Sequence, residues 1–327
     1  MPKAQAPAQT PAQIAAFYHF GPVPADQIET LRKQLEAAGT ERDLRGLVIF
    51  ATEGMNGTIS GSDRSVVFAW LKFASELLGF PEFSPKWSEA PVAPFRRFGV
   101  RIRDEIVTLG NREVKPLNPG SKTHLSPTEW DEMMAQDDVV VLDTRNWYET
   151  RIGTFKNAID PKIDEFSDFT EFVNAKAETG EIPRDKKVLI FCTGGIRCEK
   201  AIVEMHNSGF ENVYQLDGGI LNYLAEKPNA GFEGECFVFD QRVAVDQNLA
   251  PSVLYTLCPH CGQPADQDIA CVRCDTHAQI CVTCHDAELA KKTCSKNCAN
   301  HIRENPKSKG KSQGTDYRFQ PTGRVRS

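Results

Sequence analysis

The sequence predicts an α/β protein in three parts: an α+β ferredoxin-like N-terminal domain, a central α/β domain on a parallel sheet, and a small cysteine-rich C-terminal module. Three observations carry this reading. The first hundred or so residues alternate strand-type and helix-type segments in the order β-α-β-β-α-β. The middle holds two continuous apolar runs, VVVLDTR and VLIFC, of the kind that parallel strands bury on both faces. The last part has little apolar periodicity but eight cysteines in close pairs, so metal must supply the cohesion that carbon burial cannot.

The expected boundaries are a disordered lead-in over 1–12, the ferredoxin-like (acylphosphatase-like) domain over 13–110, a linker over 111–125, and the central domain over 126–232. The cysteine-rich module follows over 233–305 and a disordered basic tail over 306–327. A length of 327 residues suits two or three domains, and 40% hydrophobic residues with a net charge of −6 are ordinary for a soluble globular chain.

AAFYHF (15–20) is a short strand-type run. The span 26–38 places Ile28, Leu31 and Leu35 at helical spacing, with Gly39 as its expected stop. LRGLVIFA (44–51) reads as a buried strand, and EGMNGTISGS (53–62) as a turn leading into another. Ser62 is the expected cap of a helix carrying Val67, Trp70, Leu71, Ala74 and Leu78 on one face. FGVRIRDEIVTL (98–109) alternates as the closing strand, with Arg97, Arg101 and Arg103 on one side and Phe98, Val100 and Ile102 on the other. Pro127 then opens a helix capped by Ser126. The runs 139–145 and 188–192, the helix 198–208 and VYQLDGGILNYL (213–224) complete the central α/β unit.

The lead-in MPKAQAPAQTPA lacks an apolar core and does not read as a secretory signal. No run approaches the roughly eighteen apolar residues of a membrane span, so none is expected. Eleven cysteines in such a chain favour metal binding and thiol chemistry in a reducing, cytoplasmic setting. Cys258 and Cys261, Cys271 and Cys274, Cys281 and Cys284, and Cys294 and Cys298 form four close pairs. Two pairs complete one tetrahedral thiolate site, so eight cysteines suit two structural zinc ions in a small C-terminal zinc-binding module. Spacing alone leaves sequential and cross-braced pairing open. His260 and His285 are alternative ligands beside the cysteines, and His277 and His301 weaker ones.

VLIFCTGGIRCEKA (188–201) ends an apolar strand in Cys192 and turns through Gly194 and Gly195 into a helix. Backbone N–H groups and the positive helix end then point at the sulfur and favour its thiolate. Arg197 adds a fixed positive charge. A buried spacer cysteine explains neither the glycine pair nor the arginine, so Cys192 reads as a nucleophile. Charge is uneven elsewhere. The segment 94–125 holds seven Lys/Arg against three acids, and 302–327 seven against two, so an acidic protein still offers basic segments to a polyanion.

Cys192-Thr193-Gly194-Gly195-Ile196-Arg197 resembles a rhodanese active-site loop. DTRNWYETRIGTFKNAI (143–159), with Asp143 and Arg145 in supporting positions, and VYQLDGGI (213–220) resemble the flanking rhodanese motifs. Thr154 and Asn157 stand where that pattern has His and Gly. Four residues separate Cys192 from Arg197, the sulfur-type loop length rather than the longer phosphatase type. With EGMNGT (53–58) and PFRRF (94–98), the extended motif FCTGGIRCEKA resembles the rhodanese-domain tRNA uridine hydroxylases. The resemblance implies a central rhodanese domain and oxidation of uridine 34 of tRNA to 5-hydroxyuridine with molecular oxygen, the electron donor being unknown. It makes Cys192, Arg197 and Cys198 the catalytic candidates, Cys198 as a possible resolving thiol for an oxidised Cys192. It makes the tRNA anticodon loop the partner, with Lys86, Arg96, Arg97, Arg101, Arg103, Glu53 and Asn56 as RNA-binding candidates. A rhodanese-type sulfurtransferase and a non-enzymatic zinc-bearing RNA-binding module are the alternatives.

Overall fold

The computed structural model describes residues 11–116 and 122–304. Most of the expected lead-in, the middle of the expected linker and the expected basic tail lie outside the described residues. Two compact units divide the chain at Cys236, with Asp246–Ala250 returning to the first. No described helix is long and apolar enough to cross a membrane.

The first unit opens with a five-stranded sheet: β1 (Ala12–Phe20), β2 (Arg45–Ala51), β3 (Gly54–Gly61), β4 (Lys86–Ala90) and β5 (Phe98–Ile102), in the order β4-β1-β3-β2-β5. Helices α1 (Ile28–Glu41) and α2 (Arg64–Leu78) join β1 to β2 and β3 to β4. The ferredoxin-like order is present, but its fourth strand is β4, not the run from Phe98. That run becomes a fifth strand, parallel to β2 at the opposite edge. It stops at Ile102, after which Glu105 turns inward and accepts the Leu109 and Gly110 N–H groups at 3.2 and 3.1 Å.

Two expected helix ends move. The first helix runs through Gly39 to Glu41, because the missing side chain is a packing device: a Cβ there would lie 2.3 Å from the Phe98 ring. The second is capped by Asp63 rather than Ser62, its carboxylate accepting from Ser65 N at 2.6 Å. One sheet face buries Phe17, Val48, Phe50 and Ile59 with Leu35, Trp70 and Phe98. Phe98 is therefore core, at 5.3 Å from the Trp70 ring. Ala16 pairs with Lys86 and Tyr18 with Asn56, so Tyr18, Asn56 and Lys86 share the face turned away from the helices.

The second sheet is parallel: β6 (His124–Leu125), α3 (Pro127–Met134), β7 (Val139–Asp143), α4 (Trp147–Thr150), β8 (Gly153–Phe155), α5 (Phe169–Glu178), β9 (Lys187–Phe191), α6 (Ile196–Asn207), β10 (Asn212–Leu216) and α7 (Gly219–Glu226) follow in chain order. Its strands lie β6-β10-β9-β7, while β8 pairs with β11 (Phe232–Gly234). Ser126 caps α3 in a capping box with Glu129. Leu109 and Val114, at the edge of the expected linker, are buried in this second core beside Leu142, Val188 and Ile190. The sheet that begins the chain is thus anchored to the parallel sheet by its own connection.

The second unit is built of short hairpins and turns. Gln267–Ala270 pairs antiparallel with His277–Ile280, and Thr256–Leu257 with Pro264–Ala265. Two short helices, Val282–Asp286 and Lys296–Glu304, complete it.

Candidate active site and metal centres

Cys192 follows β9 and Ile196 opens α6, so Thr193, Gly194 and Gly195 form the connecting loop. Gly195 takes φ +97°, a conformation L side chains avoid, and its N–H reaches the Cys192 sulfur at 3.1 Å. The start of α7 braces the loop from outside, where Ile220 and Leu221 N–H groups donate to the Cys192 and Thr193 carbonyls at 2.9 and 3.0 Å. Gly219 permits this approach: a Cβ on it would stand 2.5 Å from the Cys192 carbonyl oxygen. The second glycine of VYQLDGGI therefore serves the nucleophile loop.

The Cys192 thiol is pulled down to about 6. Burial pushes it up, but a hydrogen bond with Cys198, the Arg197 charge and the Cys198 and Arg197 backbone N–H groups outweigh that. The Cys198 thiol moves the other way, well above its usual value, through burial and its neighbour's negative charge. The pair therefore holds a thiolate at Cys192 and a proton at Cys198, which also lies 3.8 Å from the Thr144 hydroxyl.

Arg197 is buried, and both its terminal nitrogens donate to Glu149, at 2.7 and 3.2 Å. Its positive charge acts on the loop from inside. Asp143 and Arg145 are fully buried and paired with each other; Arg145 also donates to the Gly153 carbonyl at 2.6 Å. They lock the turn after β7 and do not reach toward the sulfur. The two departures from the rhodanese pattern fit locally. The Thr154 hydroxyl donates to Asp143 at 2.9 Å, and Asn157 adopts φ +63°, a left-handed conformation asparagine tolerates.

The open face of the first sheet meets this loop. Tyr18 donates to Glu199 at 2.9 Å, and a Cβ on Gly195 would lie 3.0 Å from the Tyr18 oxygen. His124 and Gln215 reach the same Glu199 oxygen at 3.1 and 3.0 Å. Their hydrogen bonds hold the Glu199 carboxylate below its usual range although burial pushes it up. Lys200, fully buried, donates to Glu53 at 2.9 Å, Glu105 at 2.6 Å and the Val107 carbonyl at 3.1 Å. The Glu53 carboxylate also accepts Ile106 N–H at 2.7 Å, and Asn56 donates to the Ile106 carbonyl at 3.0 Å.

The RNA-binding candidates therefore fall into three groups. Glu53 and Asn56 make internal contacts, Glu53 with Lys200 and the Ile106 N–H and Asn56 with the Ile106 carbonyl, so EGMNGT is tied to the EKA end of FCTGGIRCEKA through Glu53. Arg96, Arg97, Arg101 and Arg103 are exposed, on or beside edge strand β5. Lys86 lies at the opposite edge, over the Tyr18 ring at 4.8 Å. The sequence reading missed Tyr18, His124, Glu199 and Lys200, and gave Glu149 no role. The strand alternation that sends Phe17 inward sends Tyr18 outward, and that was the available signal.

In the second unit the eight cysteines form two sets. Cys258, Cys261, Cys281 and Cys284 make one, and Cys271, Cys274, Cys294 and Cys298 the other, the sulfurs of each lying within 4.8 Å of one another. The first pair joins the third and the second joins the fourth, so the module is cross-braced. Sulfur separations of 3.4 and 3.7 Å in the first set, and 3.6 to 3.9 Å in the second, fit the ~3.8 Å edge of a tetrahedron of thiolates ~2.3 Å from zinc. Gly262 and Asp275, each just after a pair, take φ +82° and +59°, which lets the chain curl back around a metal. His260 is not needed in either set; it bonds the Thr293 carbonyl at 2.8 Å. His285 pairs with Asp286.

These features define a rhodanese-type domain carrying an acylphosphatase-like domain before it and a cysteine-rich module after it. Family models agree: an acylphosphatase-like domain of the UPF0176 type matches residues 12–106, a rhodanese-like domain 126–226 and a rhodanese C-terminal domain 233–299. A protein of Bdellovibrio bacteriovorus named tRNA uridine(34) hydroxylase is 50% identical, over 92% of this chain and 84% of its own length. Proteins of the same name from Sinorhizobium medicae and Brucella ovis are 40% and 42% identical, over 85% and 78% of this chain and 87% and 81% of theirs. The chain belongs to the tRNA uridine(34) hydroxylase family.

Proposed function

We propose that this protein hydroxylates the wobble uridine of tRNA at C5 to give 5-hydroxyuridine in the cytoplasm, with Cys192 as the catalytic thiolate and molecular oxygen as co-substrate. The observation that carries the reading is a stabilised thiolate in a sulfur-length loop, in a chain half identical to a protein of that name. The thiolate adds at C6 of the uracil ring and activates C5. Arg197, held by Glu149, lowers the energy of the thiolate, and Cys198 donates to it and stands beside it as a resolving thiol. The exposed Arg96, Arg97, Arg101 and Arg103 contact phosphates of the anticodon arm, while the target base is splayed toward the loop.

Each cysteine set holds one zinc ion, which supplies the cohesion this unit's small apolar cluster lacks. All four ligands are protein thiolates, so the role is structural. The sulfur-type loop also suits sulfur transfer. Mass spectrometry of tRNA nucleosides from a deletion strain separates the two activities: loss of 5-hydroxyuridine supports hydroxylation. Unchanged nucleosides together with lost thiosulfate:cyanide activity support sulfur transfer.

A further inference from the structure

Among the described residues Lys86 is a cation with no acceptor, beside a loop built around a thiolate. It lies on edge strand β4, and its Nζ stands over the Tyr18 ring, 4.8 Å from the centroid. Among the described residues no carboxylate pairs with it and no acceptor hydrogen-bonds it. A Cβ on Gly218 would lie 3.1 Å from Lys86 Cε, and a Cβ on Gly195 would lie 3.7 Å from Gly218 Cα and 3.0 Å from the Tyr18 oxygen. Lys86, Gly218, Tyr18 and Gly195 are thus one contact cluster, and Gly195 N donates to the Cys192 sulfur. Among the described residues no atom beyond its chain neighbours lies within 4 Å of a Cβ built on Gly194, which leaves the loop open on that side.

Tyr18 is fixed from its far end by the bond to Glu199, itself held by His124 and Gln215. Its ring is therefore a rigid shelf that keeps the ammonium at the loop mouth. Burial pulls the Lys86 amine below its usual value, while Asp217, Cys192 and Glu199 pull it back. An arginine gripping a phosphate on an exposed strand needs none of this. The four candidate arginines sit on or beside the strand at the opposite edge of the sheet and are exposed.

We propose that Lys86 is a catalytic residue of this site: it binds O4 of the target uracil and stabilises the enolate formed when the Cys192 sulfur adds to C6. The inference rests on the hydroxylase reading above. In the step, the sulfur lone pair forms the S–C6 bond, the C5=C6 π pair shifts to form C4=C5, and the C4–O4 π pair moves onto O4 as an enolate opposite the ammonium. The enolate takes a proton from solvent at C5, which becomes tetrahedral. Loss of either C5 hydrogen and expulsion of the sulfur restore uracil. This cycle consumes no oxidant, so it runs without oxygen and exchanges the C5 hydrogen with water. Tyr18 is a positioning residue.

The test is release of tritium from tRNA labelled with [5-³H]uridine, with the full-length protein under nitrogen and saturating tRNA. The site of release is mapped to position 34, and aerobic 5-hydroxyuridine formation is measured in parallel. Wild-type protein releases label from that position and Cys192→Ser does not. Lys86→Met lowers the saturated release rate at least tenfold with tRNA affinity changed less than threefold, and Lys86→Arg restores part of it. Tyr18→Phe, which keeps the ring but not the bond to Glu199, gives an intermediate rate and a normal circular dichroism spectrum. A Lys86→Met protein that releases label normally at saturation but binds tRNA weakly, with a shallower salt dependence, overturns the proposal and makes Lys86 a phosphate contact. Wild-type protein that makes 5-hydroxyuridine without any anaerobic release also overturns it, leaving the hydroxylase reading intact. Absence of both activities overturns the two together.

Discussion

Replacing Cys198 by alanine removes the thiol that hydrogen-bonds the Cys192 sulfur and leaves Arg197 and the loop N–H groups in place. A hydrogen bond to a charged group contributes about 1.5–3 kcal/mol, and a thiol is a weak donor, so about 1.5 kcal/mol is the appropriate figure. At about 1.4 kcal/mol per unit, the Cys192 value should rise from about 6 to ~7. The sign follows from the charge: the lost contact favoured the thiolate, so its loss favours the thiol. At pH 6 the thiolate fraction then falls from about a half to about a tenth, and alkylation should slow ~5-fold, while at pH 9 the two proteins react alike. Peptide-level mass spectrometry of Cys192 after timed iodoacetamide exposure isolates this residue from the other ten cysteines. Cys198→Ser keeps a donor and should keep the wild-type midpoint. A midpoint unmoved in Cys198→Ala, or a wild-type midpoint near that of a free thiol, refutes the reasoning.

Lys200→Met leaves the buried Glu105 and the partly buried Glu53 without their cation and should destabilise the first unit by about 3 kcal/mol in urea unfolding of the whole chain. Gly219→Ala forces a Cβ toward the Cys192 carbonyl at φ +66° and should cost about 1–3 kcal/mol and slow Cys192 alkylation, as its loop is displaced. Elemental analysis should give about two zinc ions per chain. The double variant Cys258→Ser, Cys281→Ser should lose one of them, since both cysteines belong to one set, whereas sequential pairing requires the loss of both. Affinity for tRNA should fall steeply with salt, and Arg101→Ala with Arg103→Ala should reduce the log–log slope by about 2; an unchanged slope removes these arginines from the phosphate interface.

What the sequence disclosed was local in the chain. The loop from Cys192 to Arg197 spans six residues, and each cysteine pair five or fewer, so spacing alone carries their chemistry. What it did not disclose depends on contacts between distant segments. Tyr18 and Glu199 are 181 residues apart and Glu53 and Lys200 are 147 apart, and no periodicity reports such a meeting. EGMNGT is a motif because it clasps Ile106 and Lys200, a reason invisible until the connection is seen folded. Gly39 misled for a related cause: a glycine near a helix end signals a stop, and here the Phe98 ring, 59 residues on, demanded the space. The strong alternation of the run from Phe98 makes it the expected fourth strand in the sequence. KWSEA carries the true fourth strand with a partly exposed pattern at a sheet edge. The cross-brace likewise needed coordinates, since four successive close pairs combine equally well either way.

The central claim is that the Cys192 thiolate carries out hydroxylation of the wobble uridine. Its most direct test is nucleoside mass spectrometry of tRNA from a deletion strain complemented with wild-type protein or with Cys192→Ser at equal abundance. The account predicts that 5-hydroxyuridine at position 34 returns with the wild type and not with Cys192→Ser. Equal restoration by both proteins would contradict it.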